Sequence, residues 1–243
     1  MTGVYTKEFS VTPGSADHAG RLSYHGALTV FMDAAAEHGE LLGVGCGAMS
    51  ERGLFWLTVR TKLRFFERPR IGEKTLVVTW PEPAGKIRCN RSYELRSADG
   101  ERLLVSGKTE WAVFDLKKQS VVPVAGVFPE STVFPEKTAV EQPFTRAADD
   151  FETAEVLGEY TVRSTDIDLG MHMNNVAYPR AVLGALSCAE LDALSPKGIE
   201  VLFKRPCFEG DRLVFRKKED ENAIGIRVSR GAESVFSMRL ELQ

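Results

Sequence analysis

The 243 residues hold only four cysteines and four histidines for thiol or imidazole chemistry. Cys46, Cys89, Cys188 and Cys207 show no Cys-x-x-Cys spacing, which argues against a structural zinc site and against a dithiol redox pair. The N-terminus lacks the basic-then-apolar pattern of a secretory signal, so a reduced, cytoplasmic setting is expected. No apolar run approaches the ~20 residues that a membrane-spanning helix needs. An excess of charge of one sign is lacking too. With 31 basic and 34 acidic side chains the formal charge is −3, so nothing pulls the whole chain towards nucleic acid, and a charged partner must be met by a local patch. No metal or other cofactor is expected.

What the chain does have is concentrated between Ser164 and Arg180, where Asp166, Asp168, His172, Asn174 and Asn175 precede an apolar helical pattern. Pro179 has no amide hydrogen and fits a helix only in its first turn, which predicts a helix from near Asn175 through Val182, Leu183 and Leu186 to Leu191. Asn174 or Asn175 is then the expected N-cap. A helix start carries unpaired backbone N–H groups and partial positive charge, so a carbonyl oxygen or oxyanion could be held there, beside Asp168 and His172.

The chain also reads as a duplication. In the first half Leu28, Phe31, Met32, Ala35 and Leu42 form one helical stripe within residues 21–44. β-rich runs follow at 54–66, 74–80, 86–96 and 102–116, with Asp99-Gly100 as a hairpin turn. The second half repeats the order, a helix and then runs at 199–204, 212–218, 223–229 and 234–242. Gly20-Arg21-Leu22 corresponds to Gly170-Met171-His172, and Arg68-Pro69 with Gly72 corresponds to Arg205-Pro206 with Gly210. Residues 121–154, with Pro123, Pro129, Pro135 and Pro143, read as a linker between the halves. The expected organisation is an α+β pair of units, 1–120 and 155–243, each a long helix wrapped by an antiparallel sheet.

A helix-and-meander unit present twice, with Asp-x-x-x-His-x-Asn-Asn opening the second helix, resembles the acyl-carrier-protein thioesterases, which are double hotdog proteins. The likeness covers nearly the whole chain, including Ala34 to Gly45 and Gly53-Leu54-Phe55-Trp56 in the first half and Asp166 to Tyr178 in the second. The resemblance implies hydrolysis of fatty acyl thioesters on acyl carrier protein, a place in fatty acid biosynthesis, an acyl-binding first unit and a catalytic second unit. Two positions depart from the family pattern. Gly170 stands where an asparagine is usual, and Pro206 where a glutamate is often found.

Asp168 is the expected general base or nucleophile, with His172 positioning water or stabilising the tetrahedral intermediate and Asn174 completing the site. Asn175 and Trp56 are expected to contact substrate. Cys207 paired with His172 is the alternative nucleophile. On 60–64 the cations Arg60, Lys62 and Arg64 alternate with apolar residues, so one strand face could dock an acidic carrier protein. Acyl-CoA hydrolysis and a catalytically weakened acyl- or carrier-binding module remain open alternatives, and the sequence is compatible with a homodimer.

Overall fold

The structure, a computed structural model, describes residues 3–146 and 150–242 and divides into two compact units, Met1–Pro143 and Phe144–Gln243. In unit 1 the stripe expected for 21–44 forms α1 (Tyr24–Leu41). Ser23 caps it, its Oγ accepting the Gly26 N–H at 3.0 Å. Gly26 is needed there, because a Cβ would lie 2.5 Å from the Ser15 carbonyl oxygen. Leu28, Phe31 and Ala35 are buried as the periodicity requires. A short α2 (Cys46–Glu51) follows.

The unit 1 strands are β1 (Tyr5–Ser10), β2 (Leu54–Phe65), β3 (Lys74–Pro81), β4 (Cys89–Ser97), β5 (Leu103–Asp115) and β6 (Ser120–Val122). All pair antiparallel, in the order β1-β3-β4-β5-β2, with β6 joined to β5. β1 has only Tyr5 and Phe9 as large apolar residues and β6 is three residues long, so neither announces itself in the sequence. One sheet face packs on α1, where Phe31 stacks on Tyr93 with ring centroids 5.0 Å apart. Gly107 allows that approach, since a Cβ would sit 3.0 Å from the Phe31 ring.

Residues 137–143 of the proline-rich stretch lie along the other face of that sheet. Trp80 Nε1 donates to the Lys137 carbonyl at 2.9 Å, the Ala139 N–H donates to Ser92 Oγ at 2.9 Å, and Lys108 Nζ donates to the Val140 carbonyl at 2.6 Å. A segment without periodicity can still be ordered when its backbone is bonded in this way.

Unit 2 contains β7 (Glu155–Thr161), β8 (Gly198–Phe203), β9 (Arg212–Asp220), β10 (Ala223–Arg230) and β11 (Glu233–Glu241), in the order β8-β11-β10-β9-β7. The helix expected from Asn175 to Leu191 is instead two short ones, α3 (Ala177–Leu183) and α4 (Cys188–Leu194). The break is a capping box: Ser187 Oγ accepts from the Glu190 N–H at 3.2 Å, and Glu190 Oε2 accepts from the Ser187 N–H at 2.7 Å. α3 buries Tyr178, Val182 and Leu183, and Tyr178 stacks on Phe236 at 5.1 Å.

Candidate active site

The polar stretch before α3 folds as a tight loop held at its base by Asp166. This carboxylate is buried and accepts from the Tyr160 hydroxyl at 2.7 Å, the Arg163 N–H at 2.8 Å and Arg180 Nη2 at 2.7 Å. Burial alone would raise its pKa, but these three donors hold it below the ordinary carboxylate range. The backbone closes the same frame, with the Asn174 N–H donating to the Asp166 carbonyl at 2.7 Å and Ile167 bridged to Met173. Asp166 therefore fixes the loop, its carboxylate committed to the protein's own donors.

Asp168 is placed differently. Its N–H donates to the His172 carbonyl at 3.1 Å and its carbonyl accepts the Met171 N–H at 3.0 Å, so residues 168–172 form a turn with Met171 at φ 58°. The Asp168 carboxylate accepts the Gly170 N–H at 2.8 Å and lies 3.9 Å from His172 Nδ1. About a quarter of each side chain is open to solvent, at 28% for Asp168 and 25% for His172. His172 Nδ1 is also 3.3 Å from the Met173 carbonyl. The pair can hold a water between a proton acceptor and an imidazole.

The turn explains Gly170. Its φ is not positive, so the glycine is not there for backbone freedom. A Cβ at 170 would fall 2.9 Å from His172 Nε2 and 3.1 Å from Asp168 Oδ1, so any side chain here displaces the two groups.

The expected cap at Asn174 or Asn175 is corrected. Val176 is the residue before α3, and Asn174 instead binds the amides ahead of it: Oδ1 accepts the Val176 N–H at 2.9 Å and the carbonyl accepts the Ala177 N–H at 2.9 Å. Those two backbone donors are consumed within the turn itself. Asn174 is exposed and Asn175 half-buried.

Cys207 is fully buried, and its N–H donates to the Tyr178 hydroxyl at 2.9 Å. Burial raises the thiol pKa, the opposite of what an activated nucleophile needs. Its carbonyl accepts the Met173 N–H at 2.7 Å, so the residue supports the loop through its backbone. Among the described residues no group of three or more His, Cys, Asp or Glu side chains could hold a metal ion, and no helix is long and apolar enough to cross a membrane.

The basic strand of unit 1 is less open than alternation suggests. Lys62 is buried at 4% exposure and donates to the Pro143 carbonyl at 3.3 Å, under the proline-rich segment. Arg60 pairs with Glu110 at 2.9 Å, and Arg64 is half-buried. Trp56 is also tied down, with Nε1 donating to the Val44 carbonyl at 2.9 Å beside Trp111 and Phe128.

A second copy of the turn lies in unit 1, and the sequence reading passed over its carboxylate. Ala16 bridges Leu22 as Ile167 bridges Met173. The Asp17 N–H donates to the Arg21 carbonyl at 2.7 Å, and the Gly20 N–H donates to the Asp17 carbonyl at 2.9 Å. Gly20, at φ +70°, thus matches Met171 rather than Gly170, and Asp17 matches Asp168. The repeated Asp-x-x-x-Arg and Asp-x-x-x-His spacing was the available signal. In unit 1 the carboxylate is neutralised by Arg68 at 2.7 Å and Arg21 at 3.3 Å. In unit 2 His172 replaces Arg21, and Arg205, the counterpart of Arg68, reaches Glu233 at 3.4 Å instead.

Two helix-and-sheet units of this kind define a double hotdog. The fold is shared with an acyl-ACP thioesterase from Bacteroides thetaiotaomicron, at TM-score 0.87 and 21% identity over 99% of this chain and 98% of that one. A 12:0-ACP thioesterase from Umbellularia californica superposes at TM-score 0.83 and 17% identity, over 100% of this chain and 98% of the other. Residues 2–130 match the acyl-ACP thioesterase N-terminal domain and residues 150–241 the acyl-ACP thioesterase C-terminal domain. The chain belongs to the acyl-ACP thioesterase family. Among curated relatives, a chloroplastic acyl-[acyl-carrier-protein] hydrolase of Cuphea viscosissima is 22% identical over 74% of this chain and 46% of its own length. A chloroplastic palmitoyl-acyl carrier protein thioesterase of Arabidopsis thaliana is 24% identical over 69% of this chain and 42% of its own length. The matches thus span less than half of these relatives.

Proposed function

We propose that this protein hydrolyses fatty acyl thioesters carried on acyl carrier protein, with unit 2 catalytic and unit 1 holding the acyl chain. The observation that carries the proposal is the contrast between two equivalent carboxylates. Asp17 is locked by two guanidinium groups, whereas Asp168 accepts one backbone N–H and faces an imidazole. A general base needs lone pairs that remain available for a proton.

In this scheme Asp168 takes a proton from a water positioned with His172, and the oxygen attacks the thioester carbonyl carbon. Side-chain N–H groups of Asn174 and Asn175 polarise the carbonyl and stabilise the oxyanion. Collapse breaks the carbon–sulfur bond, and the sulfur leaves with a proton as free thiol. Cys207 takes no part. Of the three strand cations, Arg64 is the one whose charge could steer an acidic carrier protein, since Lys62 is enclosed and Arg60 is paired.

Release of thiol from a panel of acyl-carrier-protein and acyl-CoA substrates of graded length tests the proposal. Turnover with higher kcat/KM on the carrier-protein series supports it. Preference for acyl-CoA would reassign the substrate carrier, and acyl binding without turnover would leave a binding module.

A further inference from the structure

The interior of unit 1 is not uniformly apolar. Arg91, on β4, is buried, and its two side-chain hydrogen bonds both come from Nη1: to His38 Nδ1 of α1 at 3.0 Å and to Thr79 Oγ1 of β3 at 3.3 Å. Among the described residues no carboxylate pairs with it. A guanidinium taken out of water calls for an anion or a full set of acceptors.

Further donors share this sheet face. Tyr93 is two residues along β4 and stacks on Phe31, so its ring and the Arg91 side chain both point towards α1. The strand pairing sets Trp111 beside Cys89 and Thr109 beside Arg91. The Tyr93 hydroxyl and the Trp111 indole N–H are shielded from solvent, and apart from each other and Thr109 they meet no hydrogen-bond partner among the described residues. Thr109 and Trp111 do lie near enough to the Tyr93 hydroxyl to act on its titration, which places the three polar groups together. Burial outweighs them and lifts the Tyr93 pKa to about 12, so it stays a neutral donor. Thr61 and Thr109 bond each other across the strands at 3.0 Å. Buried donors left short of an acceptor are costly unless something supplies one.

We propose that Arg91, Tyr93 and Trp111 form a subsite for an oxygen atom on the acyl tail, so that unit 1 selects hydroxyacyl or ketoacyl chains over unsubstituted ones. This rests on the assignment of unit 1 as the acyl-binding unit. The three groups offer N–H and O–H donors, which an oxygen acceptor satisfies and a methylene does not. A site built to bond a substrate oxygen discriminates strongly against the analogue without it.

The test measures equilibrium binding of free ω-hydroxy, subterminal keto and unsubstituted fatty acids of equal length, alongside hydrolysis of the matching acyl-carrier-protein pairs. The wild-type protein is expected to favour an oxygenated chain by at least ~10-fold, and Tyr93→Phe and Arg91→Met to reduce that ratio towards one. Tyr93→Phe carries the test if Arg91→Met does not fold, because it removes one oxygen and keeps the ring. Equal or weaker binding of every oxygenated chain would overturn the subsite, as would a ratio unchanged in Tyr93→Phe; the donors would then be served by water. Absence of thiol release with discrimination in binding intact would count against hydrolysis and leave the subsite standing.

Discussion

Asp17 and Asp168 occupy the same position of the same turn in the two units, and only Asp17 is met by arginine, at 2.7 Å from Arg68 and 3.3 Å from Arg21. One substitution, His172 in place of Arg21, and one redirected side chain, Arg205, separate an ion-pair anchor from a carboxylate open to water.

Asp17→Asn should therefore act on stability and Asp168→Asn on rate. The first removes a partly buried ion pair and is expected to cost on the order of 2 kcal/mol, read as a lower denaturation midpoint, with kcat largely retained. A fall in kcat without loss of stability would contradict this division.

Gly170→Asn is expected to lower kcat/KM by ~10-fold or more while the protein stays folded, since small misplacements at a reacting centre are costly. The family-typical asparagine cannot enter this turn without moving His172 or Asp168, because its Cβ would lie 2.9 Å from Nε2 and 3.1 Å from Oδ1. A gain in turnover would show that the turn relaxes around the new side chain.

Cys207→Ala is expected to keep most activity, and His172→Ala to lose it. Burial holds the Cys207 thiol protonated, whereas His172 faces the carboxylate. Thiol-specific labelling and steady-state rates of both variants check this, and an inactive, folded Cys207→Ala protein would reinstate the thiol.

Acid should unfold the protein through Asp17 and Asp166. Both carboxyls titrate below their ordinary value of 3.8 when folded, so their contribution is present above that value and is lost as pH falls through the lower folded values. In Asp166→Asn the fall of Tm across that acid range should be shallower, starting from a lower Tm at neutral pH. An unchanged acid limb would mean that other groups set the transition.

The two units and most strands were legible in the sequence because their apolar periodicity is strong. Asp168 and His172 stood out because His172 is the one histidine of the second half and Asp168 stands four residues before it, with the asparagine pair following. The break at Ser187 was also written in the chain, as Ser-x-x-Glu, but the continuous apolar pattern through Leu186 masked it. The burial of Lys62 was not legible, since it depends on residues up to Pro143 folding back over the sheet. Alternation along a strand identifies faces and does not say what covers them.

The central claim is that Asp168 activates water for thioester hydrolysis. The most direct measurement is the single-turnover rate of acyl transfer to water from acyl-carrier-protein by the wild type and by Asp168→Asn, with matched circular dichroism. The account requires Asp168→Asn to fold normally and to be slower by on the order of 10²-fold or more. A folded Asp168→Asn protein that hydrolyses at the wild-type rate would contradict it.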